Sequence, residues 1–290
     1  MNVEQIKNVA VIGAGNMGHQ IAALLAIHGY ETRCMDTDRK VLEKAETFFT
    51  GYLDKQVNEG RLSEKEAQKA AAKLHVTQDL EKAVVPADFV IEAIVEMLDV
   101  KRKLFSKMDK LAPKHAILAT NSSYIVSSKI ADATSRPDKV CNMHFFNPAL
   151  VMKLVEVVKG EHVSEETAEV AYQLSEKIGK KPVMLNKEVE GFLINRIVRV
   201  IRFEAYWLHE MGIASIEDID SACVHGLGHP MGPFRLNDLV GLDLTYTMAT
   251  EKFKSTGNPV DLPYTSLVKK YAQGKFGRKT GEGWYTYPNE

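Results

Sequence analysis

The fold is decided by the stretch Val9-Ala-Val-Ile-Gly-Ala-Gly-Asn-Met-Gly18, in which an apolar segment runs into a glycine-rich turn. Gly13 permits a tight turn after a strand, Gly15 lets a ligand approach bare backbone, and Gly18 lets the next helix pack against the sheet. The unpaired N–H groups at the start of that helix favour a phosphate. The stretch therefore predicts a dinucleotide-binding loop. Its contact residues are Gly13, Gly15, Asn16, Met17 and Gly18.

An acidic residue at the end of the next apolar run indicates which dinucleotide is bound. The segment Glu31-Thr-Arg-Cys-Met-Asp36 reads as a second strand that ends in a carboxylate. A carboxylate roughly 20 residues after the glycine loop accepts hydrogen bonds from the ribose of NAD and repels the 2′-phosphate of NADP. We therefore expect NAD as the cofactor, held partly by Asp36. Arg33 and Arg39 lie nearby in the sequence and leave NADP as the alternative.

Composition and charge limit the class of protein. A chain of 290 residues exceeds the usual size of a single hydrophobic core, so we expect two domains. A net charge of −1 provides no overall field for nucleic acid, and no such partner is expected. The three cysteines, Cys34, Cys141 and Cys223, are widely spaced and predict neither a disulfide framework nor a zinc site. No metal is therefore expected.

The lengths of the apolar runs bear on membranes. None approaches the ~18 apolar residues that span a bilayer, so no membrane partner is expected. The first strand-like run begins within about eight residues of Met1, which leaves little room for a signal peptide. We predict a cytoplasmic protein.

The order of elements predicts the fold of the first domain. Strand-like runs rich in Val, Ile and Leu occur at 9–12, 32–36, 88–94, 116–120 and 139–145. They alternate with stretches of helical periodicity. This alternation is typical of an α/β fold with a doubly wound, parallel sheet of the Rossmann type.

An insert and two further strands complete the predicted first domain. The segment 38–82 is rich in Ala, Glu and Lys and reads as a helical hairpin. Strand-like runs at 155–158 and 181–185 follow later, with a helix predicted at 164–179 between them. This first domain is predicted to span residues 1–186.

Only helical patterns follow, which predicts a separate all-α domain over residues 187–290. Helices are predicted at 191–212, from a cap at Ser215, at 241–256 and at 263–274. Ser215 followed by Asp218 resembles a capping box. The segment 226–233, rich in glycine and proline, predicts a structural turn between helices.

A histidine and a glutamate stand out as candidate catalytic residues. Oxidation of an alcohol with NAD requires a base that removes the hydroxyl proton, and histidine suits this task. His144 ends the fifth strand-like run, at the edge where open α/β sheets bind ligands. Glu156 lies in the next apolar run, where an unpaired carboxylate would be costly to bury. Pairing would satisfy Glu156 and fix the tautomer of His144, whereas a packing role for the histidine is the open alternative.

Polar side chains after the fourth strand-like run are further candidates. Thr120-Asn-Ser-Ser123 reaches the same edge of the sheet, so Asn121 or Ser123 could hold a substrate oxygen or the nicotinamide. A helix N-cap is the alternative role for this run. Lys44 and Lys55 are basic candidates in the insert, and their alternative role is to solvate an exposed helix face.

Longer motifs in the chain resemble one enzyme family. The motifs are His144-Phe-Phe-Asn-Pro148, Val151-Met-Lys-Leu-Val-Glu-Val-Val158, Val90-Ile-Glu-Ala-Ile-Val-Glu96, Gly191-Phe-Leu-Ile-Asn-Arg196, His229-Pro-Met-Gly-Pro233, Asp238-Leu-Val-Gly-Leu-Asp243 and Gly277-Arg-Lys-Thr-Gly-Glu-Gly283. In these motifs the chain resembles the L-3-hydroxyacyl-CoA dehydrogenases, and in particular the bacterial 3-hydroxybutyryl-CoA dehydrogenases. The resemblance runs essentially from end to end.

The resemblance implies a reaction and its catalytic residues. The reaction is the reversible, NAD-dependent oxidation of a (3S)-3-hydroxyacyl-CoA, expected to be short-chain, to the 3-ketoacyl-CoA. By the same matching, His144 is the base and Glu156 orients it. Ser123 and Asn195 would form hydrogen bonds around the 3-oxygen of the substrate.

The resemblance also implies binding residues and a partner. Asp36 would hold the adenosine ribose, while Glu96, Lys101 and Asn147 would lie near the cofactor. Lys55 stands where the family binds the CoA nucleotide of the acyl-CoA. The helical domain of this family forms a two-fold dimer, so a homodimer is expected.

The chain departs from the family pattern in places that bear on the substrate. Glu59 stands where a second CoA-binding lysine is common, and Arg199, Arg202 and Phe203 stand where apolar residues and, directly before Glu204, an asparagine are expected. The substrate pocket or the subunit interface would therefore differ from that of relatives. Two alternative functions remain open, namely a dehydrogenase of a free hydroxy acid or sugar acid such as L-gulonate, and a non-catalytic relative comparable to a lens crystallin.

Overall fold

An eight-stranded sheet forms the centre of the first of two units into which the chain divides. The computed structural model describes residues 1–287. The first unit is Met1–Phe192, and the second begins at Leu193, a few residues after the boundary predicted at 186. Each unit has a hydrophobic core of its own.

The sheet is parallel except at one pair of strands. The strands are β1 (Asn8–Ile12), β2 (Glu31–Met35), β3 (Leu74–Thr77), β4 (Phe89–Glu92), β5 (Ile117–Thr120), β6 (Val140–Phe145), β7 (Leu154–Val158) and β8 (Lys181–Leu185). They lie in the order β3-β2-β1-β4-β5-β6-β7-β8. The predicted parallel pairing does not extend to β6 and β7, which are antiparallel. The connection 146–153 is too short for the crossover of about a dozen residues that parallel neighbours require.

Seven helices cover the sheet within the described part of the first unit. They are α1 (Gly18–Ile27), α2 (Arg39–Asn58), α3 (Glu64–Ala71), α4 (Leu80–Val84), α5 (Leu98–Leu111), α6 (Ser128–Ala131) and α7 (Glu165–Lys177), with 3-10 turns at Val3–Gln5 and Pro137–Lys139. Asp38 caps α2 by accepting a hydrogen bond from the Lys40 backbone. Ser63 caps α3 in a capping box with Glu66. These side chains satisfy N–H groups that a helix start leaves unpaired.

The insert contains more than the predicted helical hairpin. Helices α2 and α3 form the hairpin, but residues 74–77 then form β3 at the edge of the sheet and α4 begins at Leu80. The helical hairpin predicted for 38–82 therefore covers α2 and α3, and the strand β3 within the insert was not predicted. A four-residue edge strand whose side chains are only partly buried gives little periodic signal.

The two faces of the sheet form two separate cores. In β1, Val9 and Val11 belong to one core, while Ala10 and Ile12 belong to the other. Leu25 from α1 packs in the first core and Phe105 from α5 in the second. Alternate residues of a strand point to opposite faces, so helices on both sides can bury the apolar strand completely.

The second unit is helical, as predicted, although one of its helices was not foreseen. Its helices are α8 (Ile194–Glu210), α9 (Ile216–Leu227), α10 (Pro233–Val240), α11 (Leu242–Thr256) and α12 (Thr265–Ala272), with 3-10 turns at Pro259–Asp261 and Arg278–Thr280. Ser215 caps α9 through the Asp218 backbone. The predicted turn at 226–233 gives way at once to α10. The buried Asp220 carboxylate fixes that helix start by accepting hydrogen bonds from the Phe234 and Arg235 backbones at 2.8 and 3.0 Å.

Candidate active site

The glycine loop is tight on its inner side and open on its outer side. Gly13 has a φ of 100°, which favours glycine, and its N–H donates to the Met35 carbonyl at 2.7 Å. A Cβ on Gly18 would lie 1.7 Å from the Gly13 carbonyl oxygen. A Cβ on Gly15 would meet no atom within 4 Å. The space at Gly15, beside the N terminus of α1, fits the pyrophosphate of a dinucleotide.

The carboxylate of Asp36 is held beside this loop. Its two oxygens accept backbone hydrogen bonds from Ala14 at 2.8 Å and from Asp38 at 3.0 Å. A carboxylate has further lone pairs, so ribose hydroxyls can still donate to it. Arg33 donates to the Asn8 side chain at 3.3 Å and Arg39 pairs with Glu43 at 3.2 Å. The two arginines that left NADP open thus already have partners.

The predicted contact between His144 and Glu156 is present. The two residues lie directly opposite each other in the antiparallel register of β6 and β7. The Nδ1 atom of His144 lies 2.8 Å from the Oε2 atom of Glu156. The carboxylate is completely buried, whereas the histidine side chain remains 10% exposed. A carboxylate at Nδ1 sets the tautomer that leaves Nε2 to act on a proton.

Aromatic rings pack around the imidazole. Phe146 and Phe192 lie with ring centroids 4.6 and 5.6 Å from that of His144, both in tilted arrangements. Phe192 is completely buried and has a φ of 46°, a left-handed conformation that is rare for a bulky residue. Such strain persists only where the surroundings enforce it. The rings therefore fix the orientation of His144 and limit the access of water.

The run after β5 contributes to the same edge of the sheet. The Oδ1 atom of Asn121 accepts a hydrogen bond from the Phe145 backbone at 2.9 Å, which ties the end of β5 to the end of β6. Ser123 is partly buried, and its carbonyl accepts from the Gly191 backbone at 3.0 Å. Within residues 1–287, the Ser123 hydroxyl has no hydrogen-bond partner. Asn121 therefore links the ends of β5 and β6, and the role of Ser123 toward a ligand stays a prediction.

A buried carboxylate that sequence reasoning missed organises the end of β4. Glu92 is completely buried and accepts hydrogen bonds from the Lys101 ammonium at 2.6 Å and the Thr120 hydroxyl at 2.7 Å. Lys101 is itself only 1% exposed and also lies 3.4 Å from Glu96. Glu96 accepts a hydrogen bond from the Ser122 hydroxyl. An acidic residue that ends an apolar strand, nine positions before a lysine, was the available signal.

The segment after β6 forms a hydrogen bond to the glycine loop. The side-chain amide of Asn16 donates to that of Asn147 at 3.2 Å. A cleft of about 350 Å³ lies beside the glycine loop and is lined by residues of that loop, α1 and α2. Its lining residues are Ala14, Gly15, Asn16, His19, Val41, Lys44, Ala45 and Phe48.

The two remaining predicted substrate residues lie on helices α2 and α8. Lys55 is exposed near the end of α2 and does not line the cleft, whereas Lys44 does. Glu59 forms an ion pair with Arg61. Asn195 lies in the first turn of α8 and belongs to the second unit. The roles of Lys55 and Asn195 toward a substrate stay predictions.

Residues 1–287 contain no group of three or more His, Cys, Asp or Glu side chains placed to hold a metal ion. None of the helices described there combines the length and apolar character needed to cross a bilayer. The three cysteines are free, and burial raises the pKa of the Cys34 and Cys141 thiols to about 12.

The glycine loop, Asp36 and the paired histidine together define a Rossmann-type, NAD-dependent oxidoreductase. The NAD-binding domain of 3-hydroxyacyl-CoA dehydrogenase matches residues 8–189, and the C-terminal domain of the same enzymes matches residues 191–287. The chain therefore belongs to the 3-hydroxyacyl-CoA dehydrogenase family. Its cofactor is NAD, and its substrates are 3-hydroxyacyl-CoA esters.

Similar proteins support the same family over the whole chain. The human mitochondrial hydroxyacyl-coenzyme A dehydrogenase is 40% identical over 288 residues, which cover 97% of this chain and 91% of the human protein. A probable 3-hydroxybutyryl-CoA dehydrogenase of Bacillus subtilis is 37% identical over 283 residues and 98% of each chain. The solved (S)-3-hydroxybutyryl-CoA dehydrogenase of Ralstonia eutropha has a TM-score of 0.91 and 33% identity, covering 98% of this chain and 100% of that one.

Proposed function

We propose that the chain oxidises the (3S)-hydroxyl of short-chain 3-hydroxyacyl-CoA esters, with His144 as the general base and Glu156 as its orienting partner. The observation that carries the proposal is the 2.8 Å contact between the His144 Nδ1 atom and the buried Glu156 carboxylate. A buried carboxylate at Nδ1 stabilises the imidazolium that forms when Nε2 takes the hydroxyl proton. The reaction is reversible, and in reduction the same imidazolium returns the proton.

The remaining residues bind and orient. We assign the glycine loop and Asp36 to the dinucleotide, because the open side of Gly15 and the free lone pairs of Asp36 fit its phosphates and ribose. Bound NAD would supply the hydride acceptor. Ser123 and Asn195 are proposed to hold the 3-oxygen so that its proton points toward His144. Such positioning is a main source of rate enhancement in enzymes.

The buried ion pair of Glu92 and Lys101 and the neighbouring Glu96 support the cofactor site. Glu96, with a side chain 42% exposed, is proposed to contact the cofactor, and Asn147 beside Asn16 to do the same. Lys101 is too deeply buried for such a contact, so we assign it to holding Glu96 in place. Lys55 is proposed to bind the CoA nucleotide from the exposed face of α2.

Substrate comparison tests the proposed function directly. The measurement is the rate of NADH consumption with acetoacetyl-CoA, compared with free acetoacetate and with NAD reduction in the presence of L-gulonate. We expect turnover of acetoacetyl-CoA and a much higher kcat/KM than for either free acid. Faster turnover of a free acid would assign the chain to another substrate class. Binding of NADH with no turnover of any acyl-CoA would indicate a non-catalytic relative.

We also propose that the chain forms a homodimer through α8 and works in the cytoplasm. Ile197, Val200, Trp207 and Met211 are 43% to 62% exposed and recur at helical spacing, so they lie on one face of the second unit, interrupted at Glu204. Large apolar side chains that are exposed together on one helix face favour a protein interface.

Light scattering after size-exclusion chromatography tests the dimer. Val200→Glu is expected to give a monomer, whereas Val260→Glu, at an exposed valine outside α8, is expected to leave the dimer intact. A monomeric wild-type chain would contradict the proposal.

A further inference from the structure

Arginines at two positions of α8 share a helix face with Asn195. Arg199 lies four residues and Arg202 seven residues after Asn195. At 3.6 residues a turn, these spacings place all three within a narrow sector of the helix. The rise of ~1.5 Å a residue puts Arg202 about 10 Å along the axis from Asn195. Side chains of a helix lean toward its N terminus, which brings long side chains closer to Asn195.

The charge of Arg199 is already neutralised within the second unit. Its guanidinium donates to the Oδ1 atom of Asp261 at 2.8 Å. Asp261 is buried and also accepts a hydrogen bond from the Thr256 hydroxyl at 2.8 Å. The Thr256 hydrogen bond and the Arg199 charge lower the pKa of Asp261, so its carboxylate is ionised. Arg199 is therefore a paired cation with a structural partner.

Arg202 is a cation of a different kind. Its only polar contact within residues 1–287 is a neutral one, a hydrogen bond to the Thr245 hydroxyl at 3.1 Å. The Arg202 side chain is partly buried, so water hydrates its guanidinium only in part. Water therefore does not fully substitute for a carboxylate partner. A guanidinium carries five N–H donors in a planar fork, and one hydrogen bond leaves most of them for a ligand.

A buried hydrogen-bond network holds Thr245, the residue that accepts the hydrogen bond from the Arg202 guanidinium. Thr245 also accepts a hydrogen bond from the Asn237 side chain at 2.7 Å, and both residues are buried. Asn237 in turn accepts a hydrogen bond from the Tyr206 hydroxyl. Tyr206 is 1% exposed and packs against Trp284 and Phe234 in the core of the second unit. The network therefore holds Arg202 in one orientation before any ligand arrives.

We propose that Arg202 binds a carboxylate at the far end of the acyl group, so that the preferred substrates are 3-hydroxyacyl-CoA esters of dicarboxylic acids. The inference rests on the proposed function, which assigns the 3-oxygen to Asn195, and it adds that the acyl group extends from there along α8 to Arg202. A planar guanidinium and a carboxylate form paired, charge-assisted hydrogen bonds. A methyl-ended acyl group offers Arg202 no partner and must leave it partly desolvated.

Length-matched substrates test the proposal in the reductive direction. The measurement is kcat/KM for 3-oxoadipyl-CoA against 3-oxohexanoyl-CoA, and for 3-oxosuberyl-CoA against 3-oxooctanoyl-CoA. A charge-assisted pair predicts a preference of about 10- to 100-fold for the dicarboxylic member of at least one pair. Equal rates or a preference for the methyl-ended member would overturn the proposal. Failure of every CoA ester, by contrast, would overturn the proposed function itself.

Variants assign the preference to the guanidinium. Arg202→Met is expected to remove the preference and to leave or raise activity on the methyl-ended substrates. Arg202→Lys keeps the charge without the planar fork and is expected to retain part of the preference, which also tests the site if the methionine variant folds poorly. Arg199→Met removes the same charge from the same face and is expected to leave the preference unchanged, because Asp261 already neutralises that arginine.

The alternative partner for Arg202 is a carboxylate of a second copy of the chain. In that case Arg202→Met would lower the molar mass in solution and reduce activity on both substrate types equally. That result would overturn the proposal.

Discussion

Glu92 and Glu156 are both completely buried carboxylates of the same sheet, but they hold very different partners. Glu92 binds the ammonium of Lys101, which is 1% exposed, and also accepts the Thr120 hydroxyl. Glu156 contacts one nitrogen of His144, which remains 10% exposed. The first carboxylate therefore has a partner sealed inside the protein, whereas the second has a partner with a face open to a ligand.

The exposure of the partner distinguishes a carboxylate that supports the fold, Glu92, from one that supports catalysis, Glu156. A buried ion pair contributes little net stability, but removal of one member is costly because the other is left unpaired. An imidazole anchored at Nδ1 can exchange a proton at Nε2 without losing its anchor. Changes at Glu92 should therefore act on folding, and changes at His144 should act on turnover.

The largest expected effect is on turnover in His144→Gln. Loss of the base should lower kcat by about 10²- to 10⁴-fold, while the glycine loop and Asp36 still bind NADH. Steady-state kinetics with acetoacetyl-CoA and NADH titration by fluorescence measure the two quantities separately. Unchanged kcat would remove His144 from its proposed role.

The matching change on the scaffold side is Glu92→Gln. It removes the counter-charge at 2.6 Å from the buried Lys101 ammonium and leaves only the more exposed Glu96 carboxylate at 3.4 Å, so the free energy of unfolding should fall by up to about 3–5 kcal/mol. Denaturant unfolding measures this loss. The double variant Glu92→Gln with Lys101→Met removes both charges and should recover part of it. If Glu92→Gln lowered kcat strongly with no loss of stability, the division between the two carboxylates would fail.

A smaller effect is expected at the cofactor. Asp36→Ser removes the carboxylate that favours ribose hydroxyls and repels the 2′-phosphate. Affinity for NADH should fall by about tenfold, and the ratio of kcat/KM for NADPH to that for NADH should rise. Arg39→Ser is the control, since Arg39 pairs with Glu43 on the exposed face of α2. An unchanged cofactor ratio in Asp36→Ser would contradict the role of this residue.

The smallest effect concerns Lys180, a buried cation that contacts no carboxylate among residues 1–287. Its ammonium donates to the Ala149 and Met152 carbonyls, and burial lowers its pKa from 10.5 to about 8. Between these two values the unfolded chain holds the proton and the folded chain does not, so stability rises with pH. The stability of the wild type relative to Lys180→Met should therefore increase from pH 8 to pH 10.5 in denaturant unfolding. A difference that stays constant with pH would contradict the lowered pKa.

Much of the fold could be predicted because strand runs and glycine positions leave local signals. The apolar runs of β1, β4, β5 and β6 and the glycine turn are legible from residue types alone. The direction of β7 is not legible from periodicity, although the short connection 146–153 already excludes a parallel crossover. Helix α10 was missed because it is short, yet Pro233 after Gly232 is a typical helix start.

The site could be predicted from the sequence only where a charged residue in an apolar run would be costly to bury without a partner. Glu156 within an apolar run required a neutralising group, and His144 was the candidate at the right edge of the sheet. Glu92 also needs a neutralising partner, but that partner, Lys101, lies on helix α5. Sequence spacing alone did not predict their contact. The network behind Arg202 depends on Asn237 and Thr245 from two other helices, so only the packed structure reveals it.

A double-mutant cycle tests the central claim, that His144 and Glu156 act as one unit. The measurement is kcat/KM for acetoacetyl-CoA in His144→Gln, in Glu156→Gln and in the variant that carries both changes, with thermal unfolding to check the fold. If Glu156 acts only by holding the imidazole, the double variant should be no slower than His144→Gln alone. If the two losses multiply, Glu156 acts independently of His144 and the account is contradicted.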